Sequence, residues 1–443
     1  MIVPLLLAIA LCVDPPGDEP AAGSQADAGA SVAAQPAQAQ PAPAGGAVRR
    51  LRVDWKERPS IRYGSVFRLD VEAMFQEDTR DSSAGSVDTF NLHRNRVGVS
   101  GRVGKYIEFG VERELTVKAT APGALPKSPW TDVFVNVTWW KNAQIEVGKF
   151  KVPFGLDQLT GASRGDYVYR SLGATYLAPG RDHGAMVHGR FFRRGLSYWA
   201  GAFAHDGENA RSTKVQGGDE TVAARVTGRP LRRLGLENFE VGTSAAVSAI
   251  SDDSFEPNGL RGRTVMIEAT FFPSVYVKGQ RRRWEADLDW NAGPASARAE
   301  YTWVRDSRLS QGMGDGNLPD ARARSWYVSG TWLLTGEPKT RPVVVARPFL
   351  RGGVGAVEVV GRYERLWFDS ASGGGGLPSR SPRAETILAS GNRVVTVGIN
   401  WMLDRRFTLQ LNGIREQVED PARSPVSSGA AFWSRSFRVQ FSL

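Results

Sequence analysis

Cysteine is almost absent from this chain. Cys12 is its single cysteine, so everything after residue 12 lacks both disulfides and thiolate metal sites. Histidine is scarce as well, with four residues. His183 and His188 lie five apart, which on a strand puts them on opposite faces, so no metal site is expected. No run of eighteen apolar residues occurs, and hydrophobic residues make up only 41% of the 443. Both facts exclude a bundle of membrane-spanning helices. No amphipathic helical pattern of useful length is present. No nucleophile–base arrangement can be read, and "VGKY" at 103–106 lacks the upstream glycine and following hydroxyl of a phosphate-binding loop. An enzyme is therefore not expected, and no cofactor is implied. A net charge of +10 raises nucleic acid as a partner, but the arginines alternate with carboxylates along strands and form no basic stripe.

What is present divides into three parts. Residues 1–17 open on "MIVPLLLAIALC" and continue into "VDPPGDEP", the apolar region and exit of an atypical secretory signal peptide without its basic start. Leu11, before Cys12, is the wrong neighbour for a lipid-anchored cysteine. Residues 18–48 are Ala, Pro, Gln and Gly with nothing to bury, a disordered linker. Residues 49–443 form the folded domain.

From residue 65 onward the period is two. In "SVFRLDVEAMFQ", Phe67, Leu69, Val71, Ala73 and Phe75 share one face and Arg68, Asp70 and Glu72 the other. "FNLHRNRVGVSGRV", "YIEFGVERELTV", "DVFVNVTWW", "VVTVGINWML", "FTLQLNGIRE" and "SFRVQFSL" repeat the pattern, as half-buried strands do. A soluble sandwich, secreted for binding or adhesion, is one reading. Bulky aromatics near strand ends (Trp139, Trp140, Trp284, Trp290, Trp303, Trp332, Trp401) suit membrane-interface girdles instead, and polar faces of mixed charge suit a water-filled interior. The links also alternate. "GK", "KN", "RRG", "NAGP" and "DRR" are short, while "EDTRDSSAGSVDT", "KATAPGALPKSP" and "DGENARSTKVQGGD" are long. Alternating short turns and long loops belong to a transmembrane barrel. Seventeen strand-like runs can be counted. Assigning 263–279 to a long loop leaves about sixteen, an even number. One link breaks the pattern: "TGEPKTRPVVVARPFLRGG" is long where a short turn is due.

The stretches "IEVGKFKVPFGLDQLT", "YVYRSLG" and "APGRDHGAMVHG" resemble the region around the third loop of the phosphate-selective porins O and P. "WYVSGTWLLTGEP", "GAVEVVGRYERL", "TVGINWMLDRRFTLQLN" and the terminal "FRVQFSL" resemble that family's later strands in order and spacing. The resemblance runs from about residue 60 to the end. It implies an all-β, antiparallel transmembrane β-barrel of the bacterial outer membrane, usually a homotrimer, whose third loop folds inward. The long segment 152–183 is then the constriction. The implied function is a water-filled channel for passive diffusion of small hydrophilic solutes in contact with outer-membrane lipid. The pore would prefer anions and be selective for phosphate or polyphosphate; a weakly selective or oligosaccharide porin is the alternative.

An anion-preferring pore needs fixed positive charge where it is narrow, and arginine's planar fork matches phosphate. By parity Arg94, Arg96 and Arg102 face the lumen, as do Arg68, Arg190, Arg225, Arg298, Arg362 and Arg438 on other strands, with Arg438 near the end of the pore. The resemblance places a basic pair at His93-Arg94; Arg94 matches and His93 departs. In the third loop, Lys149, Lys151, Arg164, Arg170 and Arg181 stand against Asp157, Asp166 and Asp182, five cations to three anions. The loop lysine that the resemblance implies is replaced by Gln158, and Glu108, Glu112 and Glu114 line one wall.

Overall fold

The structure, a computed structural model, describes residues 51–55, 58–116, 128–209, 220–236, 238–251, 257–371, 383 and 386–443. The signal peptide and linker assigned to 1–48 lie outside the described residues. Sixteen antiparallel strands form the wall: β1 (Phe67–Ser82), β2 (Phe90–Val103), β3 (Ile107–Glu114), β4 (Trp130–Trp140), β5 (Ala143–Lys151), β6 (Arg181–Phe191), β7 (Leu196–Phe203), β8 (Thr221–Gly228), β9 (Phe239–Ile250), β10 (Gly279–Ala292), β11 (Ala295–Arg308), β12 (Leu318–Leu333), β13 (Ala356–Ser370), β14 (Ser390–Met402), β15 (Phe407–Val418) and β16 (Phe432–Ser442). Each pairs with its neighbours in sequence, and β16 returns to β1 with Arg438 opposite Asp78 and Phe441 opposite Phe75. Closure removes the sheet edges that would otherwise pair with other chains. The seventeenth run lies in the connection 251–278, where, among the described residues, two short strands, Gly262–Arg263 and Thr270–Phe272, pair with each other.

The two faces of the wall carry the chemistry that the alternation demands. Asp70, Gln76 and Asp78 on β1, Glu358, Arg362 and Glu364 on β13, and Ser434, Ser436 and Arg438 on β16 are buried. Between them Val71, Phe75, Tyr363, Phe437 and Val439 are exposed. Buried charge with exposed hydrocarbon inverts the arrangement of a water-soluble protein, and it suits a polar lumen inside a lipid-facing shell.

An N-terminal hairpin, Leu51–Asp54 with Ser60–Tyr63, extends the wall. Its second strand pairs with the start of β1, Ser60 opposite Asp70 and Tyr63 opposite Phe67, whereas β16 stops with Ser442 opposite Met74. The C-terminus is thus not the lower rim of the barrel. That corrects the placing of Arg438 near the pore's end: it sits well up the wall.

The short side of the barrel holds the links 104–106, 141–142, 192–195, 293–294 and 403–406. The long link that broke the pattern, 334–355, lies on that side too, and its physical reason is that part of it turns into the lumen, where Lys339 is buried. From the other side, 152–180 and 257–278 also fold inward. Leu260, Met266, Phe271 and Phe272 pack on the inward-facing Val304, Leu366, Phe368 and Val394, with Phe272 stacked on Phe368 at 4.3 Å.

The closing seam is aromatic on its lipid face. Phe441 stacks on Phe75 at 6.2 Å and meets Phe407 at 4.9 Å. Deleting Phe441–Leu443 removes these contacts and the last two residues of the closing strand with the terminal Leu443. The expected outcome is failure to insert, checked by loss of heat-modifiable gel mobility; Leu443→Phe should insert normally. Normal insertion of the truncated chain would contradict the seam's role.

Candidate functional site at the inward-folded loop

Glycines set where the chain leaves the wall. Gly148 has φ 138°, and a Cβ there would lie 2.2 Å from the Val133 carbonyl oxygen. Gly155, at φ 77°, opens the short helix α1 (Leu156–Leu159). Lys151 Nζ then donates to the carbonyls of Gln158, Leu159 and Thr160 at 2.8, 3.1 and 3.1 Å. A cation at the C-terminal end of a helix satisfies carbonyls that have no partner within it. A second short helix, α2 (Leu172–Tyr176), starts on Ser171, whose Oγ accepts from the Ala174 amide.

Between these helices the loop crosses the lumen, and the wall supplies hydrogen-bond partners along its path. The Asp157 amide donates to Glu300 at 2.9 Å and the Leu172 amide to Glu364 at 2.6 Å. Gln76 donates to the Ala162 carbonyl, Gln440 to Ser163, Gln410 to Gly165 and Asn400 to Asp166. The Tyr167 hydroxyl donates to the Gly361 carbonyl at 2.6 Å. A loop lacking its own ladder needs such partners, because an unsatisfied buried backbone group costs about as much as a lost hydrogen bond. The loop is thereby held as a fixed wall of the pore.

The crossing borders a cleft, open to solvent, lined by Arg94, Arg170, Arg298, Arg362 and Arg438 with Asp157, Asp166 and three tyrosines, 167, 169 and 327. Most of these arginines are answered by carboxylates. Arg438 forks onto Asp78 at 2.6 and 2.8 Å. Arg298 meets Asp289 at 2.9 Å, and Arg362 meets Glu364 at 2.9 Å with its guanidinium 4.5 Å from the Tyr167 ring centre. The other two are answered by neutral groups. Arg94 donates to Gln76 Oε1 at 2.9 Å, and Arg170 to the carbonyls of Asp157 and Thr160. Among the described residues, neither has a carboxylate oxygen within 4.0 Å of its guanidinium nitrogens. Burial draws Arg170 below its ordinary range while Asp157 opposes the shift, and an arginine so placed stays charged at neutral pH.

A β-bulge explains the pair 93–94. Opposite β1, Gln76 pairs with Arg94 but Glu77 pairs with Leu92, leaving His93 as the extra residue. His93 approaches Asp78 at 3.7 Å and meets the Tyr169 ring edge-on at 5.8 Å. Two consecutive side chains thus reach the lumen, where strict alternation would allow one.

The remaining candidates take other positions. Arg96 is bound by Glu114 at 2.9 Å and Glu112 at 3.1 Å. Arg68 pairs with Asp70 at 2.8 Å and stands opposite the exposed Arg102 in the ladder. Arg181 forks onto Asp132 with both contacts at 2.9 Å. Lys149 shares the parity of the exposed Val147; its Nζ donates to the Trp130 carbonyl at 2.7 Å, with Glu208 at 3.8 Å. Lys151 braces α1 as described. Arg164 ends a helical turn of the loop and is half-buried, and Arg190 is exposed near the end of β6. Of the ten, Arg94 and Arg170 line the cleft.

Sequence reasoning missed Lys339 and Arg341. Both come from the link 334–355 and reach up to Asp166 on the crossing loop, Lys339 Nζ at 2.7 Å and Arg341 at 3.1 Å. Lys339 also binds Glu358, and Arg341 reaches Asp289 at 3.3 Å. The signal was the anomalous length of that link, with a lysine and an arginine inside it. Burial would push the Asp166 carboxyl up, but Arg341 and Lys339 hold it far below the usual carboxylate range. A depressed folded value means that the stability gained is present above the unfolded value, about pH 3.9, and is lost only in stronger acid. Removing one partner of such a buried cluster costs about 3–5 kcal/mol locally. Lys339→Met should therefore leave the barrel inserted but loosen the loop, seen as larger and noisier single-channel current. A variant with unchanged conductance and noise would show that the contact does not hold the constriction.

A family model described as phosphate-selective porin O and P matches residues 61–441. Among solved structures, OmpT of Vibrio cholerae aligns at a TM-score of 0.54 and 10% identity, over 85% of this chain and 98% of that one. OmpF of Salmonella typhi, in a complex with daunomycin, aligns at 0.55 and 10%, over 86% and 99%. An anion-selective porin from Comamonas acidovorans aligns at 0.50 and 12%, over 85% and 100%. At these identities the likeness is one of fold. No curated protein sequence matches the chain.

Proposed function

Because the chain belongs to the phosphate-selective porin O and P family and is an outer-membrane porin, we propose that its pore prefers anions and binds phosphate-like oxyanions at the constriction. The observation that carries this is the pair Arg94 and Arg170, which line the cleft with amide and carbonyl hydrogen-bond partners and, among the described residues, no carboxylate oxygen within 4.0 Å. The other cleft arginines are balanced by Asp78, Asp289 and Glu364, and Asp166 is balanced by Lys339 and Arg341. Asp157 also lines the cleft and acts on Arg170, so the surplus positive charge centres on Arg94, where a passing ion sheds water and low-dielectric walls focus the field. A guanidinium offers an oxyanion two parallel charge-assisted hydrogen bonds. The same charge repels cations, so selectivity needs no moving part. A homotrimer is part of this reading and is supported by the trimer form of OmpT among the similar folds. A second reading, a weakly selective or oligosaccharide pore, draws support from the three tyrosines, 167, 169 and 327, among the cleft's lining residues.

Reversal potentials in planar bilayers under a salt gradient test the proposal. The wild-type pore should be anion-selective, and phosphate should reduce chloride current. Arg94→Glu should move the reversal potential toward cations and abolish the phosphate block, at high salt as well, because a direct contact is no longer than the ~3 Å screening length at 1 M. A wild-type pore without anion preference, blocked by oligosaccharide and indifferent to phosphate, would favour the second reading.

A further inference from the structure

The link 334–355 has two ends in opposite surroundings. At its inner end Lys339 and Arg341 hold Asp166, and Val343 is buried against Leu333 and Ala356. Further on, the chain emerges at the short-turn rim and lies against the outside of the wall. There the Phe349 amide donates to the Leu403 carbonyl at 2.7 Å, and the Phe349 ring meets Trp401 edge-on at 5.2 Å. Trp401 Nε1 donates to the Val354 carbonyl at 2.8 Å. Trp401 continues the parity of Val395, Val397 and Ile399, the exposed apolar face of β14.

This outer end is exposed and amphipathic. Leu350 is 67% exposed, Val354 52% and Phe349 45%, and Arg347 and Arg351 stand exposed among them. Neither arginine has a carboxylate within 4.0 Å among the described residues. Three apolar side chains continue the lipid-facing band to its rim, and two guanidiniums are set between them. We propose that this end is a headgroup site for an anionic phospholipid of the periplasmic leaflet, and that the lipid steadies the segment whose inner end grips the constriction loop. The leaflet is favoured because the patch is continuous with the apolar outer face, and because a phosphodiester matches the fork of arginine while acyl chain covers Leu350. A free phosphate would leave the apolar side chains in water.

The scarcity of cysteine makes the test direct. In the full chain carrying Cys12→Ser, Leu350→Cys is labelled with a fluorophore and reconstituted into phosphatidylcholine vesicles. Nitroxide-labelled phosphatidylglycerol or nitroxide-labelled phosphatidylcholine is then titrated in. The label should be quenched, with a preference for phosphatidylglycerol of about fivefold, set by attraction of basic side chains to anionic headgroups. Arg347→Gln with Arg351→Gln should erase that preference while quenching persists. Soluble glycerophosphate should not compete. Competition by it would indicate a free-anion site and overturn the lipid assignment. An unquenched label would place the patch in water or under a second copy, and equal quenching by both lipids in the unsubstituted chain would remove the headgroup site. Current noise in planar bilayers tests the link to the constriction: phosphatidylglycerol should quieten the wild-type pore and have no such effect on Lys339→Met. Equal quietening of both would sink the coupling.

Discussion

The carboxylate of Asp166 fixes the constriction. It belongs to a loop that enters from the long-loop side of the barrel, and it is gripped by Lys339 and Arg341 from a link that enters from the opposite side. The contact therefore joins two segments that the wall alone would keep apart. A loop crossing a water-filled lumen has no ladder of its own, and each of its polar groups must find a partner on the wall or be hydrated. Gln76, Asn400, Gln410 and Gln440 serve the carbonyls around Asp166, and the ionic clamp sets the height at which they meet it.

Charge in the lumen is mostly spent on structure. Arg96, Arg181, Arg298 and Arg438 each face a carboxylate at hydrogen-bonding distance. Such pairs stiffen the wall and contribute little net field. On the proposed reading, selectivity comes from what this balance leaves over, which is small and local. It falls on Arg94, held by an amide on a bulged strand, and on Arg170, held by carbonyls of its own loop. A pore built this way can be strongly ionic throughout and still present little surplus charge to a solute.

Much of the wall was legible in the sequence, because its two solvents impose opposite demands on alternate residues. Phe75, Val99 and Phe437 on one face, and Asp70, Arg94 and Arg438 on the other, report the strand, its orientation and its lumen. Link lengths then indicated the strand count, and the resemblance to the porin family indicated the loop that turns inward. Parity was less informative about the site. It says that Arg96 and Arg94 both face the lumen, but not that Glu112 and Glu114 reach the first and Gln76 the second, since those partners lie on neighbouring strands whose register only the fold sets. Arg438 looked terminal because it lies near the end of the chain, and the N-terminal hairpin that extends the wall below it leaves only a short alternating pattern. Lys339 and Arg341 were hidden because a link without periodicity gives no face on which to place them.

Anomalous diffraction from crystals of residues 49–443 equilibrated with bromide would locate the anion in the pore, since bromide reports where an anion rests. The account predicts a peak within contact distance of the Arg94 and Arg170 guanidiniums, lost in Arg94→Gln. Peaks confined to the mouths of the barrel, with none in the cleft beside the crossing loop, would contradict it.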